Sequence, residues 1–297
     1  MAQIEAAERD RLTFSKMAGG GNDFVVIDDR GGRVADPSAL TLRICTRRLS
    51  VGGDGLILVD LSHQASVRMR YYNADGSLAG FCANGTRCAA RFARLNGMAG
   101  DDLTVETGAG VLRAAVRDQS VTLEIPTPGE YRAQRPLLVA GERQDGSFIR
   151  IGVPHYVIES DEDLWSRDVV TLGRAIRHHP ELSDGANVNF VAVRDYSSLE
   201  VRTYERGVED ETLSCGSGVV ASVLVNALKG RLRSPVSVLT RSGITLEVAF
   251  EMEGSAIRKV FLTGDARLIY TAELTAETIT GFDPEFVRRP TSVNPVA

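Results

Sequence analysis

The sequence predicts an α/β (α+β) protein of two pseudo-symmetric halves, each a curved mixed β-sheet or barrel wrapped around one central apolar helix. Three observations predict it. The chain has 297 residues, room for two domains at about 150 residues each. Short β-rich runs recur along its length. A stretch beginning at Cys82 also returns at Cys215, an offset of 133 residues (215 − 82).

The repeat has several marks. Cys82-ANGTRCAARFARLN-Gly97 and Cys215-GSGVVASVLVNALK-Gly230 each carry Gly three residues after the Cys (Gly85, Gly218). Each continues as an Ala/Leu/Val-rich stretch without Pro and closes on Gly. The same offset carries Gly110 onto Gly243 and Tyr71 onto Tyr204. Separate landmarks on one offset are the signature of duplication.

Strands are expected over Phe24–Asp28, Leu56–Val59, Val67–Tyr71 and Val121–Ile125 in the first half. The second half offers Ile149–Ile151, Tyr156–Ile158, Phe190–Val193, Val201–Tyr204, Val236–Leu239 and Leu246–Phe250. All are rich in β-branched and aromatic residues. The second post-cysteine helix, VVASVLVNAL, is apolar nearly all round, which predicts burial on every side. Pro126, Pro128 and Pro136 mark the linker. The halves are therefore expected at 12–127 and 128–262. A strand from Thr263 to Tyr270, within a segment 263–282, would complete the first half. Residues 1–11 and 285–297 read as loosely held ends.

The formal charge is −5, from 34 basic and 39 acidic residues. That balance argues against a nucleic-acid partner, which would require clustered Lys and Arg. The pairs Arg47–Arg48 and Arg288–Arg289 read as solvated surface. No apolar run reaches the roughly 20 residues of a membrane span. Met1–Asp10 carries Glu5, Glu8 and Asp10 and has no apolar core of a signal peptide. A cytoplasmic protein without a membrane partner is expected.

In such a compartment Cys45, Cys82, Cys88 and Cys215 do not suggest a disulfide framework. No C-x-x-C is present, Cys82 and Cys88 cannot share a helix face, and His178–His179 would point apart. No metal site is expected. Two of the cysteines open buried helices. A helix N-terminus offers free N–H groups and a positive dipole end. It should lower a thiol pKa and hold an anion such as a carboxylate. Ala83, Gly85, Gly216, Ser217 and Gly218 let that anion approach closely.

Two such sites, related by duplication, would set two sulfurs on opposite sides of one small anionic substrate. Inverting a stereocentre beside a carboxylate needs that arrangement: a base removes the α-proton and an acid returns one to the other face. A pyridoxal cofactor would need a Schiff-base lysine. The three lysines, Lys16, Lys229 and Lys259, offer no convincing one, so no cofactor is expected.

The runs Lys16–Phe24 (KMAGGGNDF), Asn73–Ser77 (NADGS), Phe81–Cys88 (FCANGTRC), Val153–His155 (VPH) and Tyr204–Gly218 (YERGVEDETLSCGSG) resemble the diaminopimelate epimerase family, in family order from about residue 13 to 270. The resemblance implies a pyridoxal-independent isomerase converting LL- to meso-diaminopimelate, a precursor of lysine and peptidoglycan, and a homodimer. Cys82 and Cys215 would be the acid/base pair, with His155 and Glu205 beside them to tune the thiols or accept their protons. The N–H groups of Ala83, Asn84, Gly216 and Ser217 would hold the reacting carboxylate. Asn22, Asn73, Asn187, Glu205 and Arg206 would bind the rest of the substrate, Arg206 through its bidentate fork. Ala83 departs from the family's usual Gly, Ala18 from a common His, Gly55 from a Gln of some members, and Val153 from a frequent Asn. Two alternatives stay open: a related cofactor-independent racemase of histidine or a proline derivative, and a non-catalytic thiol redox or binding protein.

Overall fold

The computed structural model describes residues 12–160 and 163–284. The expected loose ends, 1–11 and 285–297, lie outside the described residues. The first strand, Thr13–Gly19, turns through Gly20 and Gly21 (φ +62° and +96°) into Asn22–Asp28. Only glycine adopts such angles readily. Helix α1 (Pro37–Ile44) follows. Asp36 caps it by accepting from Ala39 N, and Pro37 occupies its first turn, where no donor is lost. The chain then returns as Gly55–Asp60, parallel to Asn22–Asp28.

These two strands are buried on both faces, so their sequences read as continuous apolar runs. Val26, Ile57 and Val59 enter the central core. Val25, Ile27, Leu56 and Leu58 enter an outer core with Ile44 of α1. Val67–Asn73 and the short Leu78–Ala79 lead to helix α2 (Ala83–Leu95), and Asp102–Thr107, Gly110–Arg117 and Ser120–Ile125 complete this set of strands.

The pairing order then recurs. From Thr13 onward the steps run antiparallel, parallel, antiparallel, antiparallel, parallel, antiparallel, antiparallel. From Gly146–Ile151 onward they run in the same sequence. Helix α3 (Val169–Arg177) occupies the place of α1, and helix α4 (Gly216–Leu228) that of α2. Parallel pairs need such crossovers. Helices α2 and α4 are each 13 residues long. Every position of α4 is buried except Ser217 and Leu228, as its all-round apolarity predicts. Both helices share one central core, while α3 covers the outer face of the second set of strands.

The end of the chain departs from expectation. In place of one strand at Thr263–Tyr270 there are two, Ala256–Asp265 and Arg267–Glu273. The first pairs with Thr245–Glu253 on one side and Ser120–Ile125 on the other, so it joins both sets of strands. The second pairs with Thr13–Gly19. Among the described residues the result is one continuous 18-stranded sheet with a separate two-stranded hairpin, Leu137–Val139 with Glu142–Gln144. Among the described residues, no helix is long and apolar enough to cross a membrane.

Candidate active site

Cys82 caps α2 and Cys215 caps α4, each in extended backbone. The two helix starts touch. A Cβ added at Gly216 would lie 2.8 Å from the Ala83 Cβ and 3.6 Å from the Asn84 Oδ1. Two positive dipole ends therefore converge on one place. Cys82 is half-buried and Cys215 buried. The Gly85 N–H points at the Cys82 Sγ (3.4 Å), and the Ser217 Oγ lies 3.5 Å from the Cys215 Sγ.

The expected lowering of the thiol pKa is not what results. First-turn N–H groups do act that way, Gly85 and Asn84 on Cys82 and Gly218 on Cys215. Burial outweighs them. It pushes the Cys82 thiol up to about 11 and the Cys215 thiol up as well. The Glu205 carboxyl adds to the rise at both sulfurs, so it lies within electrostatic reach of each. Burial in turn pushes Glu205 up, with Asp54 acting in the same direction.

His155 is wholly buried. Burial, then the Arg206 charge, lowers its pKa to about 3, which leaves the imidazole neutral. Thr203 Oγ1 donates to Asn189 Oδ1 (3.0 Å), so the Asn189 amide presents its NH2 to His155 Nδ1 at 3.3 Å. That assignment makes Nδ1 the acceptor and puts the proton on Nε2. Nε2 has no hydrogen-bond partner among the described residues.

The polar residues gather in two groups. Asn84 donates to Asn22 Oδ1 (2.8 Å), and Asn22 donates to Asp54 Oδ2 (2.9 Å). Across the repeat, Asn187 Oδ1 accepts from the Arg206 N–H (2.8 Å), and Asn187 sits opposite His155 in parallel strands. Arg206 also donates to the Asp184 carbonyl. Asn73 sits opposite Gly55, the residue after Asp54, in antiparallel strands, and its amide donates to Ser77 Oγ (3.0 Å) within its own turn.

A family model for diaminopimelate epimerase matches residues 14–130 and 147–269. The chain belongs to the diaminopimelate epimerase family. The diaminopimelate epimerase of Aquifex aeolicus is 40% identical over 281 residues, which is 90% of this chain and 99% of that protein. That of Chlorobaculum tepidum is 41% identical over 264 residues, 87% of this chain and 100% of that protein. Likeness of fold reaches further. A hydroxyproline epimerase from Agrobacterium vitis superposes with a TM-score of 0.69 at 15% identity, covering 91% of this chain and 94% of that one. A PhzF-family phenazine biosynthesis protein from Bacillus anthracis gives 0.68 at 15% identity, covering 89% and 99%.

In this member of the diaminopimelate epimerase family, Asp54 and Arg87 are among the residues near the site that escape the sequence reading, as are Asn189 and Thr203 beside His155. Asp54 anchors both Asn22 and the Asp23 N–H (3.1 Å). Arg87 lies fully buried behind Asn84. A signal for Asp54 exists, because the 133-residue offset carries it onto Asn187. The same offset carries Asn22 onto His155 and Asn73 onto Arg206. The polar site is thus built from equivalent positions filled with different residues. Arg87 has no such signal, since its equivalent is Val220.

Proposed function

We propose that the protein inverts one α-carbon of LL-2,6-diaminopimelate to give the meso isomer, without a cofactor, using Cys82 and Cys215 as a two-base pair. The observation that carries this reading is the meeting of two cysteine-capped helices at equivalent positions of a repeat. The first-turn N–H groups of Ala83, Asn84, Gly216 and Ser217 suit the reacting carboxylate and the charge that builds on it as the α-proton leaves. One sulfur, as thiolate, takes that proton. The other, as thiol, donates its own to the opposite face. The reverse reaction exchanges their roles.

Burial serves this chemistry. A thiolate whose conjugate acid is held up is a stronger base toward a weakly acidic C–H bond. Glu205, itself raised by burial and acting electrostatically on both sulfurs, is assigned as the acceptor of a thiol proton. Neutral His155 offers its Nε2 proton as a donor. Asn22, Asn73, Asn187 and Arg206 are assigned to the distal amino-acid end, with the Arg206 guanidinium for its carboxylate. The lysines support a cofactor-free reading: Lys16, Lys229 and Lys259 are ion-paired with Asp23, Glu159 and Glu251. Product feeding lysine and peptidoglycan synthesis accords with a cytoplasmic location.

The halves are drawn at 12–127, completed by 263–282, and 128–262, on the recurring strand order and the pairing of Arg267–Glu273 with Thr13–Gly19. A homodimer is supported by the outer strand Arg267–Glu273, which leaves Leu268, Ile269 and Tyr270 exposed.

Proton NMR of LL-diaminopimelate in D2O with the reduced protein tests the reaction. The expected result is loss of the α-proton signal and appearance of the meso isomer, both abolished by Cys82→Ala and by Cys215→Ala. Exchange with histidine or a proline derivative instead would change the substrate. No exchange with any amino acid would overturn the enzymatic reading.

A further inference from the structure

Three buried polar side chains interrupt an apolar face of the second set of strands. His155, Asn189 and Thr203 lie on the neighbouring strands Val153–Glu159, Asn187–Asp195 and Ser198–Glu205. Residues two apart on a strand share a face, and the residues two away, Val157, Val191 and Val201, enter the central core. Asn189 sits in the middle: Thr203 stands opposite it in antiparallel pairing and Val157 in parallel pairing.

The bonds of Asn189 allow its amide one orientation. Nδ2 faces the Tyr156 carbonyl (3.4 Å) and His155 Nδ1 (3.3 Å), and Oδ1 faces Thr203 Oγ1 (3.0 Å). A carbonyl only accepts, so the group turned toward Tyr156 is the NH2. Its second N–H is directed at Nδ1, which must accept. A neutral imidazole that accepts at Nδ1 carries its proton on Nε2. Space holds the amide too. A Cβ at Gly218, in the first turn of α4, would collide with Asn189 Oδ1 and lie 3.3 Å from the Cys215 Cβ. The amide is thus wedged between the His155 ring and the turn that Cys215 opens. The fold does not require it there. In the first half Phe24 stands 133 residues before Val157, and the residue paired with it is Gly55. A Cβ at Gly85, the equivalent of Gly218, would meet the apolar side chain of Ile57 (3.2 Å).

We propose that Asn189 is a positioning residue: by donating to Nδ1 it keeps the His155 proton on Nε2, so that His155 enters the reaction as a hydrogen-bond donor and not as the acceptor of a thiol proton. The inference rests on the two-thiol reading above and leaves the acceptor's part to Glu205. Nε2, the nitrogen that would do the donating, is buried and has no hydrogen-bond partner among the described residues. Leaving a buried donor unpaired is costly, and an anionic ligand or a thiolate relieves that cost where a thiol does not.

The test is nitrogen NMR of the reduced protein labelled at histidine, near neutral pH. His155→Asn identifies the His155 signals among the four histidines. Nε2 lies two bonds from both ring C–H protons and Nδ1 from only one, so couplings name each nitrogen and its chemical shift shows whether it is protonated. In the wild type Nε2 should carry the proton and Nδ1 none. Asn189→Asp puts an acceptor in place of the donor and should bring a proton onto Nδ1. Asn189→Ala should leave the two nitrogens intermediate. Both variants should lower kcat for diaminopimelate about tenfold or more, the worth of a hydrogen bond to a charged group, with a smaller change in KM. Should neither fold, Thr203→Val, which frees Asn189 Oδ1 without touching His155, should move the pattern toward that of Asn189→Ala. A wild type with its proton on Nδ1 overturns the proposal whatever the variants do. So does a pattern that no substitution moves, or a moved proton with kcat unchanged. Diaminopimelate exchange is followed on the same wild-type sample. Its absence counts against the function; its presence beside a bare Nε2 counts against Asn189 alone.

Discussion

Helix N–H groups and burial act against each other at Cys82 and Cys215, and burial prevails. At His155 burial and the Arg206 charge act together and in the opposite direction, since for an imidazole the charged form is the protonated one. The folded protein holds His155 down to about 3, against an ordinary value of 6.5. Between those values the unfolded chain binds the proton and the folded protein does not, so the stability His155 contributes is full above pH 6.5 and is lost as pH falls toward 3. The thermal midpoint of the wild type should therefore drop over that window, and His155→Asn should drop less steeply. Parallel curves would remove His155 from the acid response. At this scale the sequence shows which residue types matter and hides their environment. The cysteines, His155 and Glu205 are legible from their motifs. The direction of the thiol shift is not, because it depends on side chains brought from other strands to cover the sulfurs. Arg87 is illegible for the same reason: an arginine reads as surface until the strand Ala256–Asp265 closes over it.

Among the elements, the contact between α2 and α4 is the one the chemistry depends on. It is tight enough that one of its two facing positions must lack a Cβ. Ala83 fills its side, so Gly216 must stay bare. Gly216→Ala should cost about 1–3 kcal/mol, as overpacking does, and Ala83→Gly in the same chain should recover part of it. Denaturant unfolding of the two single variants and the double variant measures the coupling. Strict additivity would mean that the helix starts do not touch. Elements with a strong internal pattern are legible in the sequence. The runs at Phe24–Asp28 and Leu56–Val59 announce strands buried on both faces, and VVASVLVNAL announces an enclosed helix. Helix α1 does not announce itself: it has eight residues, begins at Pro37 and buries only Thr41 and Ile44, too few to set a period. Thr13–Gly19 (TFSKMAG) lacks a clean alternation because both its faces are covered: Met17 enters the central core, Phe14 the outer one, and four successive residues are buried.

At the scale of the whole molecule, duplication explains most of the fold and the chain ends explain the rest. The 133-residue offset is visible because Cys, Gly and Tyr each hold positions that few residues can fill. The join between the two sets of strands is invisible, since nothing in Ala256–Asp265 says that both its edges are used. The exposed strand Arg267–Glu273 carries the prediction that belongs here. Leu268→Lys with Ile269→Lys should convert a dimer into a monomer in sedimentation velocity while leaving the circular dichroism spectrum unchanged. A wild type that sediments as a monomer would refute the dimer, as would a charged variant that still pairs.

The strand Ala256–Asp265 also orders events in time. During synthesis the first half leaves the ribosome with Thr13–Gly19 lacking one neighbour and Ser120–Ile125 lacking another, and both are supplied only by residues after 255. Such distant pairings are slow to form, and an uncovered strand edge invites the wrong partner. A nascent chain stalled near residue 255 carries both cysteine helices yet leaves three strand edges open, at Thr13–Gly19, Ser120–Ile125 and Thr245–Glu253. The last strands added are the ones that render the first half self-sufficient.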